Sequence, residues 1–329
     1  MTDNWNLVGH NWAVDMLRRH VANGEARHAY LFTGPPGVGR RSLALRFAQA
    51  LNCTKPPASG EFCGECRDCK QINAMQHPDL VVTQAESEGR DLKVDQVRAV
   101  QHALSLKPYQ SKYRVALFLR FEDANPNASN ALLKTLEEAP AHAVILLTAS
   151  TPEQLLPTIV SRCEVLRLRP LKVEEVQEML ENRGVGASQA RLLAHISGGR
   201  TGYANRLTTD EGLLLTRTDR LNDLQSLLKG TRVQKFAYVE KLSKDKDAMR
   251  QALLFWLSFW RDVLLKVSKA AAPITNVDCT DQIDALAGKL SLASARKVVS
   301  ELELALRRLE SNVNPRLLAE VLLLDWPKA

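Results

Sequence analysis

An apolar run, His28 to Thr33, leads without a break into Gly34-Pro35-Pro36-Gly37-Val38-Gly39, and the chain continues with Leu43, Phe47, Ala50 and Leu51 at helical spacing. A buried strand turning through glycines into a helix admits few folds, because the turn must sit at the carboxyl end of a strand with a helix packed back on the sheet. Two more runs, Tyr113 to Leu119 and Ala143 to Thr148, lack polar alternation. Strands covered on both faces read this way, and parallel sheets are covered on both faces. Between them, Ser129 to Glu138 reads as a helix with Leu132, Leu133 and Leu136 facing inward. Strand, helix and strand repeated at this spacing predict a doubly wound α/β domain ending near Arg169.

After Pro170 the strand signals stop. A helical pattern over Lys172 to Arg183, the break Ser197-Gly198-Gly199 and a further short helix make a small helical unit. From about Thr209 the pattern is helical throughout: Asp247 to Ala270, Ser294 to Ser311 and a last helix opened by Asn314-Pro315. The expected division is 1–169 as the α/β domain, 170–208 as a helical lid and 209–329 as an all-helical domain.

Charge and composition exclude several classes. The 44 Lys and Arg against 37 Asp and Glu give +7, with no run of five or six like charges, so a basic tail is ruled out and only a diffuse basic face remains. The most apolar stretch, Leu253 to Leu265, contains Arg261 and Asp262, which argues against a membrane span. Met1 to Trp5 carries neither the basic nor the apolar region of an export signal, and a cytosolic location is expected.

The glycine turn is a phosphate loop with parts exchanged. The pattern G-x-x-x-x-G-K-[ST] uses backbone N–H groups, a Lys on the β/γ-phosphates and a hydroxyl on Mg²⁺. Gly34, Gly37 and Gly39 fit, but Arg40 and Arg41 occupy the Lys and Ser/Thr positions, and Ser42 comes one residue late. Arg41 cannot ligate Mg²⁺; Arg40 can still pair with a phosphate, but its planar fork is not interchangeable with an ammonium at a tight loop. The acids normally placed after the neighbouring strand are displaced too: those positions hold Leu119 and Arg120, and Glu122 and Asp123 follow as turn-capping acids. The expectation is a nucleotide-domain fold without hydrolysis.

Four of the six cysteines lie within seventeen residues as C-x9-C-x2-C-x2-C: Cys53, Cys63, Cys66 and Cys69. Four thiolates satisfy tetrahedral Zn²⁺, and short spacings let one knuckle (53–69) supply them. An iron–sulfur run would continue with x3-C-P, but the next cysteine is Cys163. The zinc would be structural. Ser161-Arg162-Cys163 follows an expected helix, Pro152 to Val160. By itself Arg162 reads first as an ordinary solvated loop residue, and the alternative is an arginine finger for an ATP bound by another subunit.

As a set, these residues resemble the clamp-loader branch of the AAA+ proteins. The resemblance rests on Leu7-Val8-Gly9-His10, His28-Ala29-Tyr30-Leu31-Phe32, the cysteine knuckle and His77-Pro78-Asp79. It continues through Val94-Asp95-Gln96-Val97-Arg98, Asn130 to Glu138 and Ser161-Arg162-Cys163, covering about residues 7 to 170. It implies a stationary subunit of a bacterial replicative loader, with gamma/tau motor and delta subunits as partners and with the sliding clamp and primed DNA met through the complex. Ser161, Arg162 and Cys163 would then face the ATP of a neighbouring motor subunit, and the last domain would join a collar. Under the same resemblance the surroundings are the cytoplasm and the replisome on the nucleoid. The apolar excess in Phe255, Trp256, Phe259 and Trp260 fits a helical domain with both a core and a partner surface, and for any one of these residues a place in the core alone reads equally well. Two other readings are an active ATPase in which Arg40 and Glu122 take over the lost roles, and a zinc-dependent DNA-binding module.

Overall fold

The computed structural model describes residues 5–86, 91–311 and 313–327. The chain divides into two compact units, Met1–Leu171 with Arg200–Tyr203, and Lys172–Gly199 with Ala204–Ala329.

In the first unit the order is α1 (Asn11–Ala22), β1 (Ala29–Thr33), α2 (Arg40–Asn52), α3 (Arg67–Asn73), β2 (Leu80–Thr83), α4 (Val94–Ser105) and β3 (Arg114–Phe118). Then follow α5 (Pro126–Glu137), β4 (Ala143–Ala149), α6 (Pro157–Val160) and β5 (Glu164–Arg167). The sheet is parallel in the order β2-β3-β4-β1-β5, with Leu31 opposite Leu147 and Ala116 opposite Ile145. The two central strands β1 and β4 are buried along their whole length, which is why their sequences show no polar alternation. Alternate residues still serve different faces. Tyr30 and Phe32 pack with Leu43 and Phe47 of α2, while Ala29 and Leu31 pack with Val97 of α4 and Leu132 of α5. Truncating a buried side chain such as Phe32 to Ala in such a layer costs about 3–5 kcal/mol.

The helix expected over 152–160 is two pieces, a 3₁₀ turn at Pro152–Gln154 and α6. Pro157 explains the break, because the residue before a proline is pushed out of the helical region, and Leu156 has ψ 131°.

The second unit holds α7 (Val173–Glu181), α8 (Ala187–Ser197), the greater part of α9 (Thr201–Thr209), α10 (Glu211–Lys229), α11 (Arg232–Leu242) and α12 (Lys246–Val267). It ends with α13 (Thr280–Ala287), α14 (Leu292–Glu310) and α15 (Pro315–Leu324). As its sequence requires, α15 opens on Asn314, whose side chain accepts from the Arg316 and Leu317 N–H groups, with Pro315 first in the helix. Its core is built on α12, where Leu253, Trp256, Phe259 and Trp260 all lie inside with Leu224, Leu302 and Trp326. For Trp256, Phe259 and Trp260 the core reading holds and the partner-surface one does not: all three are 0% exposed. Helices on several sides of α12 leave room for a wide apolar face, so aromatic richness here fills a core. Exposed apolar residues of this unit include Leu215 of α10, Val233 of α11, Leu254 of α12, Leu292 of α14 and Leu317, Val321 and Leu324 of α15. Among the described residues no helix is long and apolar enough to cross a membrane.

Candidate functional site

The phosphate loop leaves β1 at its carboxyl end. Gly34 has φ +144°, and a Cβ there would stand 2.4 Å from the Leu168 carbonyl oxygen. Gly37 has φ +85°, and a Cβ would stand 2.8 Å from that of Tyr203. Only glycine fits at both. The loop is braced from two sides. His10 Nε2 donates to the Val38 carbonyl at 3.0 Å, and the Gly37 carbonyl accepts from Gly202 N at 2.8 Å and Tyr203 N at 3.3 Å.

Arg40 opens α2 but is turned inward, 9% exposed. Its Nη1 lies 3.4 Å from Ser150 Oγ and 3.9 Å from Glu122 Oε1. The same Glu122 oxygen accepts from Ser150 N at 3.1 Å and from Ser150 Oγ at 2.8 Å. Burial pulls the Arg40 pKa below the usual guanidinium value, opposed by Glu122 and aided by Arg120. Arg41 and Ser42 are exposed at the start of α2. Leu119 is buried after β3, and Arg120, at φ 54°, gives its N–H to Thr148 Oγ1 and its Nε to Asp123 Oδ2 at 3.0 Å. Glu122 and Asp123 lie in a 3₁₀ turn, Phe121–Asp123. The two displaced acids are thus engaged by Ser150 and Arg120.

The cysteine module fills the connection from α2 to α3. Cys53 caps the end of α2 and Cys66 the start of α3. The four Sγ atoms lie within 4.8 Å of one another, with Cys53 to Cys63 at 3.6 Å and Cys63 to Cys69 at 4.0 Å. A tetrahedral ion with bonds of about 2.3 Å to sulfur has edges of about 3.8 Å, so these separations fit one ion. Backbone N–H groups point at the sulfurs: Cys63 N to Cys53 Sγ, Cys66 N to Cys63 Sγ and Cys69 N to Cys66 Sγ, at 3.2–3.4 Å. At Cys66 burial is outweighed by N–H donors and the neighbouring hydroxyl of Thr54, and the thiol falls to about 6.

Sequence reasoning missed what anchors this module. Asp68, on α3, pairs with His77 Nε2 at 3.2 Å, and Gln49 Nε2 donates to the Cys69 carbonyl at 2.7 Å. His77 Nδ1 accepts from Asp79 N, while the Asp79 carboxylate takes the N–H groups of Tyr109, Gln110 and Ser111. The His77-Pro78-Asp79 triplet was visible in the sequence, but its partners were not.

Arg162 sits in the turn between α6 and β5. Its Nη1 donates to the Thr158 carbonyl at 2.9 Å and its Nη2 to Glu137 Oε1 at 2.5 Å; the side chain is 35% exposed. Ser161 Oγ donates to the same carbonyl, and burial pushes the Cys163 thiol up to about 12. A cleft of about 430 Å³ lies here, lined by Arg27, His28, Glu137, Arg162 and Glu164 among others. The parallel register pairs Tyr30 with Glu164 and Thr33 with Arg167. Arg162 therefore stands at the amino ends of β1 and β5, and the phosphate loop at the carboxyl end of β1, with roughly 10 Å of strand between. The structure does not bring Arg162 to Gly34, Gly37, Gly39 or Arg40.

Residues 9–172 match the family model described as DNA polymerase III, delta subunit, and residues 213–328 match DNA polymerase III, delta subunit, C terminal. The chain is 33% identical over 328 residues to DNA polymerase III subunit delta' of Pseudomonas aeruginosa, covering 96% of each chain. It is 29% identical over 315 residues to the subunit delta' of Bacillus subtilis, 94% of each. The tau subunit of Escherichia coli matches a shorter stretch, 34% over 177 residues, 54% of this chain and 27% of the relative. Matches at this identity from end to end show that the chain belongs to the DNA polymerase III delta' family of clamp-loader subunits.

Proposed function

We propose that this chain is a stator: it hydrolyses no ATP itself and supplies Arg162 in trans to the ATP of a neighbouring tau/gamma motor subunit, so that the assembled ring loads the sliding clamp on primed DNA. One observation carries the reading. Arg162 stands, half-buried, at the opposite end of the strands from its own phosphate loop, while in that loop Arg40 is turned onto Glu122 and Ser150. A guanidinium so placed has no substrate within its own domain. Hydrolysis spreads negative charge over the transferring phosphoryl group, and a fork positioned there at assembly stabilises it.

Cys53, Cys63, Cys66 and Cys69 would hold one Zn²⁺, leaving no open coordination position, so the ion would cross-link α2 to α3 rather than act on substrate. Residues 170–208 would form the lid and 209–329 the collar that joins the motor and delta subunits. The replisome on the nucleoid, in the cytoplasm, is the setting this reading assigns.

The test is ATP hydrolysis by the full chain alone and in a complex reconstituted with motor and delta subunits, clamp and primed DNA. The isolated chain should show no turnover. The Arg162→Ala complex should assemble, lose part of the stimulated hydrolysis and load clamps slowly. Wild-type loading by that complex would refute the assignment.

A further inference from the structure

The Arg162 guanidinium is held before any neighbour arrives. Nη2 is bonded to Glu137 Oε1, the last residue of α5, and Nη1 to the Thr158 carbonyl on α6. A guanidinium has five N–H donors, and these two bonds are the ones it makes among the described residues, so three remain for a ligand. Glu137 is poorly placed to stabilise the fold. A carboxylate at a helix C-terminus opposes the helix dipole, and an ion pair whose side chains are 35% and 50% exposed adds little to stability. The cleft also lacks net attraction for an anion. Arg27 is paired with Glu164 at 3.0 Å on the same cleft, so two cations face two carboxylates. What the cleft can offer a polyphosphate is the orientation of one fork.

We propose that Glu137 is the positioning residue for Arg162: with the Thr158 carbonyl it fixes the plane of the guanidinium so that its remaining donors meet a phosphate presented by the neighbouring subunit. This rests on the reading of Arg162 as acting in trans. Glu137 touches no substrate. Its carboxylate limits the rotamers of a long side chain, whose freedom would otherwise have to be removed when the transition state forms.

The experiment uses full-length Glu137→Gln, Arg162→Ala and the double variant, each in the complete reconstituted complex with Glu138→Gln as control. kcat and KM for ATP and the clamp-loading rate are measured, with thermal unfolding of each free chain. Glu137→Gln should lower the loading rate and the part of kcat that depends on Arg162 by about three- to tenfold, with KM and the free chain's unfolding temperature unchanged. The double variant should be no slower than Arg162→Ala, because the carboxylate acts only through the arginine. Glu137→Asp should recover part of the loss, whereas Glu138→Gln should match the wild type. If Arg162→Ala slows loading but Glu137→Gln does not, or speeds it, the positioning role is wrong and the trans arginine stands. If Arg162→Ala has no effect, the trans reading itself fails.

Discussion

Arg40 Nη1 lies 3.9 Å from Glu122 Oε1, with the two side chains only 10% and 13% exposed. In a loop of this shape the residue at that position normally reaches outward to phosphate. Here the cation and the displaced acid are turned towards each other inside the domain, with Ser150 bonded to both. Hydrolysis needs both groups free, one for the phosphates and one for a metal or a water.

Restoring the loop's consensus should therefore fail to restore activity. Arg40→Lys with Arg41→Thr leaves Leu119 and Arg120 where the metal-binding acids would stand. Phosphate release by the isolated double variant should stay at background, and sustained turnover would show that the acids at 122 and 123 suffice. Arg40→Ala alone should destabilise the first unit by about 1–3 kcal/mol, because it strips a nearly buried carboxylate of its nearest cation.

Metal analysis of the gently purified chain should give one zinc per chain. Cys69→Ser removes the most buried ligand and should lower the stability of the first unit by several kcal/mol, since structural zinc contributes folding free energy directly. Urea unfolding with and without a strong chelator measures this. Iron in place of zinc, or wild-type stability without metal, would contradict it.

Asp79 should make the first unit acid-sensitive. Burial alone would raise its pKa, but the N–H groups of Tyr109, Gln110 and Ser111 outweigh burial and hold it below the usual carboxylate value. A folded pKa below the unfolded one gives stability that is present above about pH 4 and is lost as pH falls through the folded value. Asp79→Asn should lower stability at pH 7 by about 1–3 kcal/mol, and the gap to wild type should close in acid. Denaturant midpoints between pH 7 and pH 2 check both halves; a gap that widens in acid would reverse the sign.

In the second unit, Arg217 is 3% exposed and bonds Asp278 through both Nη atoms, at 2.7 and 2.8 Å, and Asn276 at 2.6 Å. The loop it holds is also held by Asp262, which accepts from the Thr275 and Asn276 N–H groups. Arg217→Met should cost about 3 kcal/mol, because the acceptors stay while the fork is removed. Arg217→Lys should recover little, since one ammonium cannot reach all three oxygens. A neutral Arg217→Met, read by thermal unfolding, would assign the pair to the surface class.

The features legible in the sequence were those set by short spacing. Apolar runs at His28 to Thr33 and Ala143 to Thr148, which became the strands Ala29–Thr33 and Ala143–Ala149, required a sheet covered on both faces, because a strand with one wet face alternates. The C-x9-C-x2-C-x2-C spacing required four thiols in one small module, and Asn314-Pro315 marked where a helix begins. Each is a local constraint, acting within a few turns of chain.

The tertiary structure alone decided partners far apart in sequence and the faces on which residues lie. It decided that Glu137 holds Arg162, that His77 joins Asp68, that Glu122 meets Arg40, and that Trp256, Phe259 and Trp260 point inward. These depend on strand order and on how many helices surround a given one. Such quantities are fixed by burying the whole apolar surface at once, and no local spacing encodes them.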